Sequence, residues 1–257
     1  MELNTILEQV KIYAKILKIP TFALYPDVLK QIGQTADFGE VLLELMKRES
    51  EKRHENQNIK LLKQANFPFS KTIEELDLKQ YSNTLTNIFV QELASCQFVK
   101  DKRNIVLFGN PGRGKTHLAI ALGLKACAAG MKVLFQNTAT LCRQLTEARD
   151  SFVLGRLEKK LQRMDLIILD EMGYVSFDRS QAELIFKVVS DRSERGSIII
   201  TTNLAFSEWA DLFENTSLLT ALIDRLTYKS YLIDMNGESY RLEQTKKMNA
   251  IKQSGNK

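Results

Sequence analysis

The 257-residue sequence predicts an α/β fold in which a five-stranded parallel sheet is wrapped by helices and preceded by a small all-α domain. Three observations carry this expectation. From residue 104 onward, short β-rich runs (NIVLF, KVLF, DLIILD, GSIIITT, SYLID) alternate with longer segments of helical periodicity. Over the first 64 residues or so, apolar positions recur only at helical spacing, as in LEQVKIYAKILKI and FGEVLLELMKRESEKR. Finally, the first β-run leads through a glycine-rich loop into a helix, FGNPGRGKTHLA at 108–119.

Near the N-terminus, Pro20 and Pro26 bracket a break between the first helix and the next, because proline ends or kinks a helix at the preceding residue. QANFPFSKT, with Pro68 between two phenylalanines, reads as a linker into the next unit. The expected division is a helical domain at 1–66, an α/β domain at 67–245 and a tail at 246–257. In that tail KKMNAIKQSGNK is polar, basic and without periodicity, the composition of a disordered segment. Composition narrows the class further. Cys96, Cys127 and Cys142 fit no zinc or redox spacing, and an odd count argues against a disulfide framework, so reduced thiols are expected. No apolar run approaches the roughly 20 residues needed to cross a bilayer, which points to a cytoplasmic protein without a membrane partner. The net charge of +5 favours polyanions without identifying one.

A glycine-rich loop cradles phosphate when it follows a strand and opens a helix, because backbone N–H groups and the helix dipole then converge on an anion. NIVLF precedes the loop, and THLAIALGLKACAA, ended by Gly130, follows it. Within G-x-x-x-x-G-K-T, Gly109, Gly112 and Gly114 let the backbone curl toward phosphates, with Asn110, Pro111 and Arg113 completing the loop. Lys115 can reach the β and γ oxygens, Thr116 can hold magnesium, and His117 stands beside them on the first helical turn. A plain tight turn is the bland alternative. A dinucleotide is disfavoured because the G-x-G-x-x-G order is absent. The expected cofactors are therefore ATP and Mg2+.

DLIILDE at 165–171 is an apolar strand ending in two carboxylates, and charge at such a position calls for a reason. Beside a phosphate loop, Asp170 suits the metal and Glu171 the attacking water; alone, the two acids could cap the following loop. SIIITTN at 197–203 ends another apolar strand, and parallel strands deliver their C-terminal ends to one edge. Asn203 would then orient water near the γ-phosphate, unless it caps the helix expected in LAFSEWADLF.

Together, FGNPGRGKTHLAIALGLKACAAG, DLIILDEMGYVSFDRSQAELIFKVVSDRSERGSIIITTN, LAFSEWADLF and ALIDRLTYKSYLIDMNGESYRL resemble AAA+ ATPases, and more closely the IstB-type transposition helpers of bacterial insertion sequences, relatives of the DnaC helicase loaders. The resemblance implies a homo-oligomer with ATP sites between subunits. Arg225 would be an arginine finger entering a neighbour's site, although it could merely pair with Asp224 or a helix C-terminus. Arg241 resembles a second sensor arginine, and the chain leaves no room for a C-terminal lid domain. Implied partners are double-stranded DNA, bound largely without sequence preference, and the transposase of the same element. Phosphate contact requires cations, for which the candidates are Arg48, Lys52 and Arg53 in the helical domain, and Arg143, Arg149, Arg156, Lys159, Lys160 and Arg163 between the second and third strands. Ordinary solvated helix faces would look the same. A helicase loader on single-stranded DNA, and a nucleotide-dependent scaffold with negligible turnover, remain as alternatives.

Overall fold

A computed structural model describes residues 3–33, 37–81, 85–174 and 176–237. Contacts divide the chain into two units, Met1–Lys60 and Leu61–Lys257. In the first, α1 (Leu3–Ile16) is followed by a 3-10 turn (Pro20–Leu24), α2 (Tyr25–Ile32) and most of α3 (Phe38–Ala65). The break between the first two helices falls at 17–24, and Pro26 stands just past its end. It sits in the first turn of α2, where its missing N–H has no helical partner to lose. Val28, Val41 and Leu45 form a small core with Phe22, Tyr25 and Leu29 against it. Buried Glu49 pins the 3-10 turn to α3, accepting from Thr21 Oγ1 at 2.5 Å and from Arg53 Nε at 2.7 Å. The Thr21 hydroxyl, aided by Arg53, holds its carboxyl below the usual range against the opposing effect of burial.

The second unit begins inside α3, since Leu61 and Ala65 belong to its core. The stretch after them is not a free linker either. Phe67 packs on that core with its ring 6.2 Å from that of Phe135, and Ile73 is buried in it. Then come α4 (Asn87–Ala94), α5 (Gln97–Lys100), β1 (Asn104–Phe108), α6 (Lys115–Ala128), β2 (Val133–Asn137), α7 (Thr138–Asp150), α8 (Leu154–Gln162), β3 (Leu166–Asp170), α9 (Arg179–Arg192), β4 (Ser197–Thr202), α10 (Thr216–Thr227) and β5 (Ser230–Asp234).

The sheet is wholly parallel in the order β2-β3-β4-β1-β5. Helices cover both faces, so β3 and β4 are buried along their whole length and must be continuously apolar until their polar ends. Registers align those ends on one edge: Asn137 beside Asp170, and Phe108 between Thr202 and Asp234. LAFSEWADLF forms a 3-10 turn (Phe206–Asp211) rather than an α-helix, with Trp209 buried near Phe206 and Phe213. Cys96, Cys127 and Cys142 are free and buried. Burial pushes the Cys127 thiol up to about 11 and that of Cys142 to about 12, which makes them inert near neutral pH. Among the described residues no helix is long and apolar enough to cross a membrane.

Candidate nucleotide site

The loop leaves β1 through Gly109, whose φ of +138° suits glycine; a Cβ there would also lie 2.6 Å from the Met235 carbonyl carbon. Gly114, at φ +76°, caps α6, so the first amides of that helix open onto the loop. Lys115 Nζ folds back over the loop and donates to the carbonyls of Gly109 (2.5 Å) and Asn110 (2.8 Å). Beside this turn lies a cavity of about 350 Å³, within the size range of small-molecule sites. Gly112, Lys115, Thr116, Glu171 and Asn203 line it on the loop and sheet side, and Phe69, Leu76 and Tyr81 on the other. His117 also lines the cavity, its Nε2 lying 2.6 Å from the Thr72 carbonyl oxygen.

The carboxylates at the end of β3 have separate surroundings. Asp170, only 7% exposed, accepts at Oδ1 from Thr116 Oγ1 (2.9 Å) and from Thr201 Oγ1 (2.6 Å). Its carbonyl accepts from Thr138 Oγ1 at 2.8 Å. Glu171 is exposed and left-handed, with φ +62°, an uncommon conformation for a residue bearing a side chain. Its N–H donates to Thr201 Oγ1 at 2.9 Å, and its Oε2 accepts from Asn137 Nδ2 at 2.7 Å. Thus neither acid caps the following loop by these bonds; each is aimed by neighbouring strands.

Asn203 does not cap a helix, because Ala205 holds that position. Its Oδ1 is buried with no hydrogen-bond partner among the described residues, and a Cβ on Gly173 would lie 2.2 Å from it. A buried acceptor left so is costly. The Thr116 hydroxyl and the Asp170 carboxylate are hard oxygen donors on adjoining elements, the donor set that suits Mg2+.

Thr201 and Asn137 lacked any signal of their own in the sequence. Their roles depend on β4 and β2 flanking β3, which local pattern does not reveal. Arg225 is elsewhere. The Asn104 side chain, at the start of β1, donates to the Arg225 and Leu226 carbonyls, so Arg225 sits at the sheet edge opposite the loop, about 17 Å away at the usual rise per strand residue. It does not pair with Asp224. Its Nη1 donates to the Ala221 carbonyl at 3.2 Å, and its guanidinium lies 4.8 Å from the Phe186 ring centroid. Arg241 and the segment 246–257 lie outside the described residues.

The candidate DNA contacts fall into two groups. Arg48 pairs with Glu44, Lys52 with Glu55, Arg53 with Glu49, Arg143 with Glu147, and Arg149 with Asp150 and Ser180. Arg156, Lys159, Lys160 and Arg163 are exposed along α8 and its C-cap, without an ion-pair partner among the described residues.

A glycine-rich loop, an acidic strand end and a polar strand end, gathered on one edge of this parallel sheet, define a P-loop protein. The fold is shared with the DnaC helicase loader (TM-score 0.51, 22% identity, covering 71% of this chain and 98% of that one) and with AMPPCP-bound DnaA from Aquifex aeolicus (TM-score 0.57, 18% identity, covering 71% and 55%). Residues 14–248 match the family described as IstB-like ATP binding protein, and the chain belongs to that family. Relatives named as ATP-binding proteins of insertion sequences include one of IS21 from Pseudomonas aeruginosa, 38% identical over 218 residues (84% of this chain, 81% of the relative). Another, of IS5376 from Geobacillus stearothermophilus, is 34% identical over 242 residues (92% and 95%).

Proposed function

We propose that this protein is a cytoplasmic ATPase which assembles on duplex DNA, completes each ATP site between neighbouring copies and serves the transposase of an insertion sequence. The observation that carries the chemistry is the placement of Glu171. Its left-handed backbone is tied to Thr201 and its carboxylate to Asn137, beside Lys115 and Asn203 on one cavity wall. Residues in sparsely populated backbone regions persist where the surroundings over-determine them, which is common at active sites.

In this reading the loop amides and Lys115 hold the β- and γ-phosphates, with Lys115 exchanging its loop carbonyls for phosphate oxygens. Thr116 and Asp170 would hold Mg2+, which when bound offsets phosphate charge. Asn203 Oδ1 and Glu171 orient the attacking water, and Glu171 takes its proton. Arg225, too far from the loop of its own chain, serves the site of a neighbour. The names of the insertion-sequence relatives support the transposase as partner. Glu171→Gln should retain ATP while turnover falls by about 10²-fold or more. Unchanged turnover in a steady-state phosphate-release assay would remove Glu171 from the chemistry.

The DNA surface we favour is α8. Arg156, Lys159, Lys160 and Arg163 follow the i, i+3, i+4, i+7 spacing of one helix face, while Leu154, Leu157 and Leu161 turn the other toward the core. Replacing Arg156 and Lys160 by glutamine should weaken duplex binding and flatten the log–log salt dependence by about 2 units, leaving ATP affinity intact. An unaltered slope would place DNA on another face. Preference for single strands over duplex would favour the helicase-loader reading.

A further inference from the structure

The phosphate loop needs no particular side chain at Arg113, yet this residue is built into the molecule as few surface arginines are. The residue is 4% exposed, and its guanidinium lies 4.7 Å from the Tyr81 ring centroid and donates to the carbonyls of Met235 (Nε, 3.3 Å) and Asn236 (Nη2, 3.4 Å). The Tyr81 hydroxyl in turn donates to the Arg113 carbonyl. Asn110 makes a second attachment to the same segment, its N–H donating to Asn236 Oδ1 and its Nδ2 to the Gly237 carbonyl, both at 3.1 Å. Close packing makes a third. A Cβ on Gly109 would meet Met235 at 2.6 Å, and a Cβ on Gly237 would meet the Arg113 guanidinium at 2.8 Å.

Residues 235–237 therefore form a strap, leaving β5 and fastened at three points to the loop. The fastening includes the atoms that a triphosphate would disturb. Lys115 Nζ donates to the carbonyls of Gly109 and Asn110, and these two residues hold the strap. When Lys115 turns to phosphate those carbonyls lose a charged donor, and the peptide planes between Gly109 and Pro111 reorient most easily, because glycine is permissive there. The strap cannot ignore that change while Asn110 and Arg113 grip it.

We infer that Arg113 and Asn236 couple the phosphate loop to the strap, so that nucleotide occupancy is transmitted to residues 235–237. Arg113 is then a positioning residue, and linkage makes the effect reciprocal: whatever fixes the strap alters affinity for nucleotide by the same factor. The inference rests on the proposal that this cavity binds ATP. Coupling carried by a few packed side chains is of a size that single substitutions alter by about 2- to 30-fold.

The test follows amide hydrogen exchange of residues 235–237 in the full-length protein, with and without a non-hydrolysable ATP analogue. Exchange in the strap should change by about 10-fold when the analogue binds. Asn236→Ala, which alters the strap and not the loop, and Arg113→Met, which keeps the stem and removes the charge, should each abolish that response. Asn236→Ala should still bind the analogue, and Arg113→Lys should restore part of the response that Arg113→Met loses. A purely structural role would speed exchange equally with and without analogue. A strap indifferent to bound analogue in the unaltered protein, or a full response persisting in both variants, overturns the coupling. Absence of analogue binding by the unaltered protein overturns the ATP reading and the coupling with it, a result distinguishable because Lys115→Ala would then change nothing.

Discussion

The two edges of the sheet use polar side chains in different ways. At the edge where the strands begin, they end on backbone. Arg192, 2% exposed, donates to the carbonyls of Leu161, Met164, Asp165 and Ser197 at 2.8–3.2 Å, and Asn104 joins α10 to β4 through Leu226 and Ile198. Such bonds help to satisfy backbone carbonyls at the starts of the strands, some of which, such as those of Leu161 and Asp165, also accept from a backbone N–H. At the edge where the strands finish, the carboxylates are met by side chains, Thr116 and Thr201 on Asp170 and Asn137 on Glu171, while Lys115, Asn110 and Arg113 end on backbone carbonyls of the loop and of residues 235–237. The first edge spends its polar groups on shape, and the second also sets several of them along a cavity. Arg225 is a partial exception at the first edge: among the described residues its guanidinium makes one hydrogen bond, to the Ala221 carbonyl. It is half-buried over Phe186 beside a small cavity that Lys102, Glu194 and Lys229 also line.

If that exception marks a function, Arg225→Ala should produce the largest effect. Turnover should fall by about 10³-fold or more with ATP affinity nearly unchanged, as measured by steady-state kinetics and nucleotide titration. Loss of stability with normal turnover would instead make Arg225 one more structural cation of its edge. Next in size is Arg192→Met, which strips four carbonyls of their donor and should cost about 3 kcal/mol in a denaturant melt. The folded protein should hydrolyse ATP normally, since nothing at the other edge has changed; a large drop in turnover would dissolve the distinction between the edges. Smaller still is Thr201→Val, which keeps the shape and removes the hydroxyl shared by Asp170 and the Glu171 amide. Here turnover should fall about 10-fold with little change in melting, and the reverse pattern would make the Thr201 network structural.

The contrast was only half legible in the sequence. Each run such as DLIILDE or SIIITTN declares a buried strand and its polar end, because burial on both faces forces continuous apolar character and any charge stands out. The loop at 109–116 is equally plain, since the chemistry sits in consecutive residues. What local pattern cannot carry is lateral order. Thr201 serves Asp170 because β4 flanks β3, and Asn137 reaches Glu171 because β2 lies on the other side. Arg113 reads as one variable position of the loop, and its burial becomes visible only once residues 235–237 return across it. The stretch at 64–72, with Ile73 just after it, misleads for a related reason. Proline and polar residues suggest a linker, while Phe67 and Ile73, too sparse to show a period, anchor it in the core.

The central claim is that one copy's Arg225 completes the site containing another copy's Glu171, and mixing the two inactive variants tests it most directly. Glu171→Gln and Arg225→Ala subunits, each nearly inert alone, should together recover a substantial share of ATP turnover on DNA, because mixed interfaces pair an intact Glu171 with an intact Arg225. A mixture no more active than its separate components, under conditions where the subunits demonstrably co-assemble, would contradict the account.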